Sequence, residues 1–192
     1  MTAYTDLDKQ FIGGVWREGK GSKEIEVVNP YTQEQIASYK SAGIADIDEA
    51  YTHAKRVQKE WAAVSAFERN RIIEKAASIM EERRSEIVKV LIEDAGSTFI
   101  KANVEVDFCI AITRHAASFP FHAEGSITPS IVPGKQNNVL RKPLGVVGVI
   151  GPFNFPMYLA MRSVAPALAV GNSVVLKPDS QTSFSGGTLI AK

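Results

Sequence analysis

Residues 145–177 read GVVGVIGPFNFPMYLAMRSVAPALAVGNSVVLK, and the order of apolar runs and chain breakers in this stretch decides the fold. Residues 145–150 form a short apolar run, rich in Val and Ile and punctuated by glycine, and residues 173–177 form another. Such runs predict parallel strands buried on both faces. Parallel strands need a crossover, and the segment between them has room for one helix. Pro156 suits the start of that helix, where a missing N–H is harmless, and Gly171 stops it. The result is one strand–helix–strand unit of roughly 30 residues, which predicts an α/β fold. An unusual polar residue, Asn154, stands in the first turn between Phe153 and Phe155. Open α/β sheets place their ligand-binding groups just past the carboxyl ends of strands.

On the amino-terminal side, residues 11–41 hold short alternating segments (FIGGVW, EIEVVNPY, EQIASY) broken by Gly and Asn-Pro, which predict antiparallel hairpins. Asp46 with Glu49, and Ser65 with Glu68, have the spacing of helix starts with a capping arrangement. Over residues 69–83, Ile72, Ala76, Ile79 and Met80 fall at helical spacing and predict the core-facing stripe, the charges lying on a solvated face. A further helix is expected over 85–93. Another is expected over 104–117, with Val104, Phe108, Ala111 and Ile112 as its stripe. Residues 125–141 alternate again around Pro133 and Gly134, predicting an exposed strand pair that needs a cover. The last residues, 179–192, look like a helix start.

The chain has 192 residues, 45% apolar and 22% charged, with a net charge of +1. That composition is ordinary for one or two globular domains and argues against disorder. The charge balance gives no electrostatic case for nucleic acid or an anionic membrane. The stretch MTAYTDLDKQ lacks the basic start and apolar core of a signal peptide, and no run reaches membrane-spanning length, so a cytoplasmic protein is expected. One cysteine excludes an internal disulfide. His53, His115 and His122 have no zinc-like spacing, and no metal is expected.

Asn154 offers two uncharged N–H donors, suited to a carbonyl oxygen that becomes negative only when a nucleophile adds. It equally suits capping the helix at Pro156. The sequence Pro152-Phe153-Asn154-Phe155-Pro156, followed by a helix and a strand ending Lys177-Pro178, resembles the signature of the aldehyde dehydrogenase superfamily. The resemblance extends from Phe11-Ile12-Gly13-Gly14-Val15-Trp16 and Asn29-Pro30 to Lys192. It is nearest the benzaldehyde and vanillin dehydrogenase type, through residues 155–162 (FPMYLAMR) and 177–182 (KPDSQT).

The resemblance implies a catalytic role for Asn154 in stabilising the oxyanion and a small-molecule aldehyde, aromatic by subgroup, as substrate. It implies that Ile150, Gly151, Pro152 and Phe153 line a cofactor cleft and that Lys177 binds the adenosine ribose. Many members carry a glutamate three residues past that lysine, where this chain has Ser180. A carboxylate there repels the 2′-phosphate of NADP, whereas a hydroxyl donates to it, so NAD or NADP is expected as cofactor. The family's nucleophilic cysteine, glutamate base and Gly-rich loop are expected beyond Lys192. The chain then resembles an amino-terminal portion that is inactive alone, comprising a partial cofactor-binding domain (1–124 and 142–192) and a strand pair (125–141) of the oligomerisation region, the complete enzyme being a homo-oligomer. A non-catalytic nucleotide-binding or assembly module of this family is the rival reading; an acyl-phosphate or acyl-thioester reductase is a weaker third.

Three other features carry less. Gly145, Gly148 and Gly151 form GxxGxxG, which is not the dinucleotide fingerprint and reads better as close packing. Cys109 lies in an apolar helical segment where a thiol is unreactive. Arg162 reads equally well as a surface residue or as facing a substrate tunnel.

Overall fold

A computed structural model describes residues 7–192; the first six residues of the polar amino-terminal stretch lie outside it. Two antiparallel hairpins lead, β1 (Gln10–Ile12) with β2 (Val15–Arg17) and β3 (Glu24–Val28) with β4 (Gln35–Lys40). Four helices follow: α1 (Ile44–Ala63), α2 (Ala66–Glu82), α3 (Arg84–Ala95) and α4 (Phe99–Ala117). The predicted strand pair is β5 (Ser126–Pro129) with β6 (Gln136–Val139), antiparallel and exposed at every residue. The strand–helix–strand unit is β7 (Val146–Ile150), α5 (Pro156–Ala169) and β8 (Ser173–Lys177), with the strands parallel. A C-terminal helical segment begins as a tight turn at Ser180–Thr182, widens to a π-turn at Phe184–Thr188 and closes with Leu189–Ala191. No helix among the described residues is long and apolar enough to cross a membrane.

The β7–β8 sheet lies between two helices. Ser173 donates its hydroxyl to the Ala54 carbonyl of α1 at 2.9 Å, while Val149 is buried on the opposite face against the core that α5 shares. Gly148 is required by the first packing, because a Cβ there would stand 2.5 Å from the Tyr51 hydroxyl. This close approach is the role expected of the GxxGxxG glycines. Of β7 only Val149 is fully buried, so the expectation of strands buried on both faces fails. Two strands are too few for the flanking helices to cover them.

Two predicted stripes are also corrected. On α2 the buried residues are Ile73 and Ala77, whereas Ile72 and Ile79 are exposed. On α4 the core face is Ala102, Glu105, Val106, Cys109, Ile110 and Thr113, while Val104, Phe108 and Ala111 face outward. Helix α4 is apolar nearly all round, so apolar spacing does not set its rotation; it is fixed by Glu105, which is buried for a reason given below. Asp46 does not cap α1 from outside. Gly43 is the cap residue, and Asp46, three residues in, accepts its N–H at 2.9 Å. At α2 Ser65 caps as predicted, accepting the Glu68 N–H at 3.2 Å.

Helix α5 is anchored at its carboxyl end by three side chains from α1 and α2. Trp61 donates to the Leu168 carbonyl at 2.8 Å, Gln58 to Gly171 at 2.9 Å and Arg69 to Ala169 at 2.9 Å. These are carbonyls that a helix end leaves without partners, and the Arg69 cation also suits the negative end of the helix dipole. The chain leaves α5 through Gly171, whose φ of +91° disfavours any residue with a Cβ.

Candidate active site

Register pairing builds one side of the site. Ile150 and Lys177 are directly paired at the carboxyl ends of β7 and β8, so their side chains leave the sheet on the same face. Both are exposed, Ile150 by 79%. Beyond them the Gly151 N–H donates to the Lys177 carbonyl at 2.9 Å, and Gly151 is buried against Pro178. Strand pairing therefore brings Ile150, Gly151 and Lys177 together. The Lys177 side chain makes no hydrogen bond or ion pair with the described residues, leaving its ammonium free for a ligand.

Pro152, Phe153 and Asn154 form the turn into α5, and all three are exposed. Phe155 occupies the cap position of α5 without a side-chain cap bond, and Asn154 makes no hydrogen bond with the described residues. The capping use of Asn154 is therefore not realised. Its amide stands free at the positive end of a helix dipole, where negative charge is favoured.

What caps α5 lies 52 and 53 residues before the groups it caps. Glu105 of α4 is 0% exposed, and its Oε1 accepts the N–H groups of Met157 at 2.9 Å and Tyr158 at 3.2 Å. Its Oε2 accepts from Lys101 Nζ at 2.8 Å, and Lys101 also donates to Ser97 Oγ at 2.9 Å and stands 4.4 Å from the centroid of the Phe155 ring. Sequence reasoning missed this pair. Its trace is a Lys101/Glu105 spacing of one helical turn, one of several charged positions on the helix.

Ser180 is exposed one residue after Asp179, the cap of the C-terminal helical segment. Asp179 Oδ1 accepts the Gln181 N–H at 2.9 Å, so this carboxylate is committed to the backbone. The donor set fits a dinucleotide: apolar surface at Ile150 and Phe153, 57% exposed, an ammonium at Lys177 and a hydroxyl at Ser180. Cys109 is buried, and burial together with the nearby Glu105 charge pushes its thiol well above the usual range, which removes it as a nucleophile. Arg162 is exposed on α5. An open cavity of about 620 Å³, lined by residues including His122, Arg141 and Val170, lies at the far end of α5. A 14-residue helix, about 21 Å long, separates it from Asn154.

The α/β unit thus presents an unbonded Asn154 amide at its helix start and an unbonded Lys177 ammonium at the end of the second strand. The chain belongs to the aldehyde dehydrogenase family, whose model matches residues 16–192. It is 48% identical over 192 residues to the benzaldehyde dehydrogenase YfmT of Bacillus subtilis, covering 100% of this chain and 40% of that protein. It is 52% identical over 187 residues to a vanillin dehydrogenase of Corynebacterium glutamicum, covering 97% of this chain and 39% of that one. The crystal structure of an NAD-dependent benzaldehyde dehydrogenase from Corynebacterium glutamicum superposes with a TM-score of 0.96 at 51% identity, over 100% of this chain and 42% of that structure. The chain thus spans about 40% of the length of these relatives, and it matches the amino-terminal part of their fold.

Proposed function

We propose that the chain is the amino-terminal part of an NAD(P)-dependent aldehyde dehydrogenase that oxidises aromatic aldehydes to carboxylic acids, and that it is inactive alone. The observation that carries this reading is the unbonded Asn154 amide at the start of α5, together with the free Lys177 ammonium at the end of β8. Asn154 Nδ2 donates to the aldehyde oxygen as negative charge gathers there, an interaction stronger in the transition state than in the ground state. Lys177 holds the cofactor ribose, and Ile150, Gly151, Pro152 and Phe153 form the wall it lies against. When bound, NAD(P) supplies the hydride acceptor. The one thiol of the chain is buried, so the nucleophile has to come from elsewhere in the subunit. The aromatic substrate class rests on the benzaldehyde and vanillin dehydrogenases among the relatives.

Two further assignments belong to this reading. The exposed β5–β6 hairpin, with Ile127 and Val139 in the open, serves as an oligomerisation strand pair of a homo-oligomeric enzyme. The cytoplasm is its compartment, in keeping with a lone free thiol.

Thermal unfolding of this chain with NAD and with NADP tests the cofactor half of the reading. Both should stabilise it, by about 2.7 kcal/mol at a hundredfold excess over Kd, and Lys177→Met should remove the effect. A response to NAD alone would refute the role given to Ser180. In a subunit that carries this chain with its nucleophile, Asn154→Ala should lower kcat by about 10² to 10³ with cofactor affinity unchanged; an unchanged kcat sinks the oxyanion assignment.

A further inference from the structure

The Asn154 turn has no internal brace. Pro156 has no N–H, Phe155 makes no side-chain cap bond, and the Asn154 side chain is unbonded among the described residues. The groups that fix the turn belong to α4. Glu105 Oε1 takes the first two N–H groups of α5, Met157 and Tyr158, and Lys101 joins the other carboxylate oxygen to the Phe155 ring and to Ser97. A buried carboxylate is costly unless its charge is paired and its lone pairs are used. Here both oxygens are engaged, one by a cation and the other by two donors at a helix start, where a negative charge is favoured. The far end of α5 is held independently by Trp61, Gln58 and Arg69. The carboxyl end of the helix is thus held apart from Glu105, which engages the N–H groups at its start.

We propose that the Lys101–Glu105 pair is a positioning unit for the oxyanion donor: it sets where the first turn of α5 begins, and thereby where the Asn154 amide sits over the reacting carbonyl. The inference rests on the reading of Asn154 given above. Glu105 touches neither substrate nor cofactor. It acts through two backbone N–H groups, three and four residues beyond Asn154. A displacement of about 1 Å in such a donor costs up to roughly a hundredfold in rate. Glutamine keeps an acceptor oxygen for both N–H groups, leucine keeps only the volume, and Lys101→Met removes the cation while leaving the acceptor.

Two measurements on matched variants test the unit. Amide hydrogen exchange of this chain should show Met157 and Tyr158 exchanging at least tenfold faster in Glu105→Leu, near the wild-type rate in Glu105→Gln, and at an intermediate rate in Lys101→Met. Protection in α2 and in the β3–β4 hairpin should not change. Uniform loss of protection across the chain in Glu105→Gln and Lys101→Met would show a general stabilising role and overturn the proposal. In the complete subunit, Lys101→Met should lower kcat about tenfold with the KM for the cofactor unchanged, and Glu105→Gln should stay within about threefold of wild type. Combined with Asn154→Ala, Lys101→Met should add nothing further. If Asn154→Ala lowers kcat and Lys101→Met lowers it by the same factor in both backgrounds, the positioning role is wrong and the oxyanion assignment stands. If Asn154→Ala leaves kcat unchanged, both fall together.

Discussion

The start of α1 and the π-turn inside the C-terminal helical segment use the same device and reach opposite electrostatic outcomes. At each, a buried aspartate accepts backbone N–H groups. Asp46 takes those of Gly43 at 2.9 Å and Lys20 at 2.7 Å, and Asp94 of α3 takes that of Ser185 at 2.8 Å and its hydroxyl at 2.7 Å. The second oxygen of each is buried without a hydrogen bond, but that of Asp46 has the Arg17 guanidinium at 3.3 Å. Burial pushes Asp46 up, but the Gly43 and Lys20 donors, the Gln10 side chain and the Arg17 charge outweigh it and hold the carboxyl below its ordinary value. Burial at Asp94 prevails over the Ser185 and Phe184 donors and pushes it up to about 6. At Asp46 the two backbone donors lead, Gln10 and then Arg17 add to them, and together they outweigh burial; at Asp94 the Ser185 and Phe184 donors do not.

The sharpest way to break that contrast is to remove Asp46. Asp46→Ala leaves the Gly43 and Lys20 N–H groups without an acceptor and Arg17 facing a gap. The expected loss of unfolding free energy is about 3 kcal/mol, at the lower end of the range for breaking a buried pair because Arg17 keeps Glu49 at 2.7 Å. Urea denaturation measures it. A loss below about 1 kcal/mol would place Asp46 with ordinary surface ion pairs and remove the distinction between the two aspartates.

Asp94 should reveal itself through pH. The folded chain holds its proton to about pH 6, whereas an unfolded aspartate releases it near 3.9. Between those values the native state binds more protons, so the contribution of Asp94 to stability is full below about pH 4 and is lost as pH rises to 6. Asp46 runs the other way, its contribution being present above the unfolded value and lost as pH falls below it. A shift of about two units sets the Asp94 effect at up to roughly 3 kcal/mol, and less where the native structure relaxes. Urea midpoints from pH 4 to 7 for the wild type and Asp94→Asn should converge or diverge across this window. A constant difference between them would mean that Asp94 is already ionised at pH 4.

These caps also show where sequence was a sufficient guide. The strand–helix–strand unit was legible because its signals are local: Val and Ile runs, Pro156 at the helix start, Gly171 past its end. The Asn154 turn was legible as a motif. Helix rotation was not, because in α4 the polar residues Glu105 and Thr113 lie on the buried face and Phe108 on the exposed one. A reading that sends charge outward turns this helix the wrong way. Its true orientation depends on N–H groups of α5 some 50 residues later, and no window of sequence holds both partners. Asp46 was misplaced by three residues for a related reason: its second donor, Lys20, comes from the loop after β2.

Ser65 supplies the baseline for the comparison, because it caps α2 as a neutral, local and solvent-accessible group. Its hydroxyl accepts the Glu68 N–H at 3.2 Å, and the Glu68 carboxylate turns to Arg71 instead of returning to Ser65, so only half of the predicted capping box forms. Ser65→Ala should cost about 1 kcal/mol, the usual value for a lost cap, and Ser65→Asp should recover most of it. Neither change should alter the pH profile between 4 and 6 beyond the new carboxylate's ordinary titration, because no buried charge is involved. An effect of Ser65→Ala as large as that of Asp46→Ala would mean that capping geometry, rather than the pairing of buried charge, governs the helix starts of this protein.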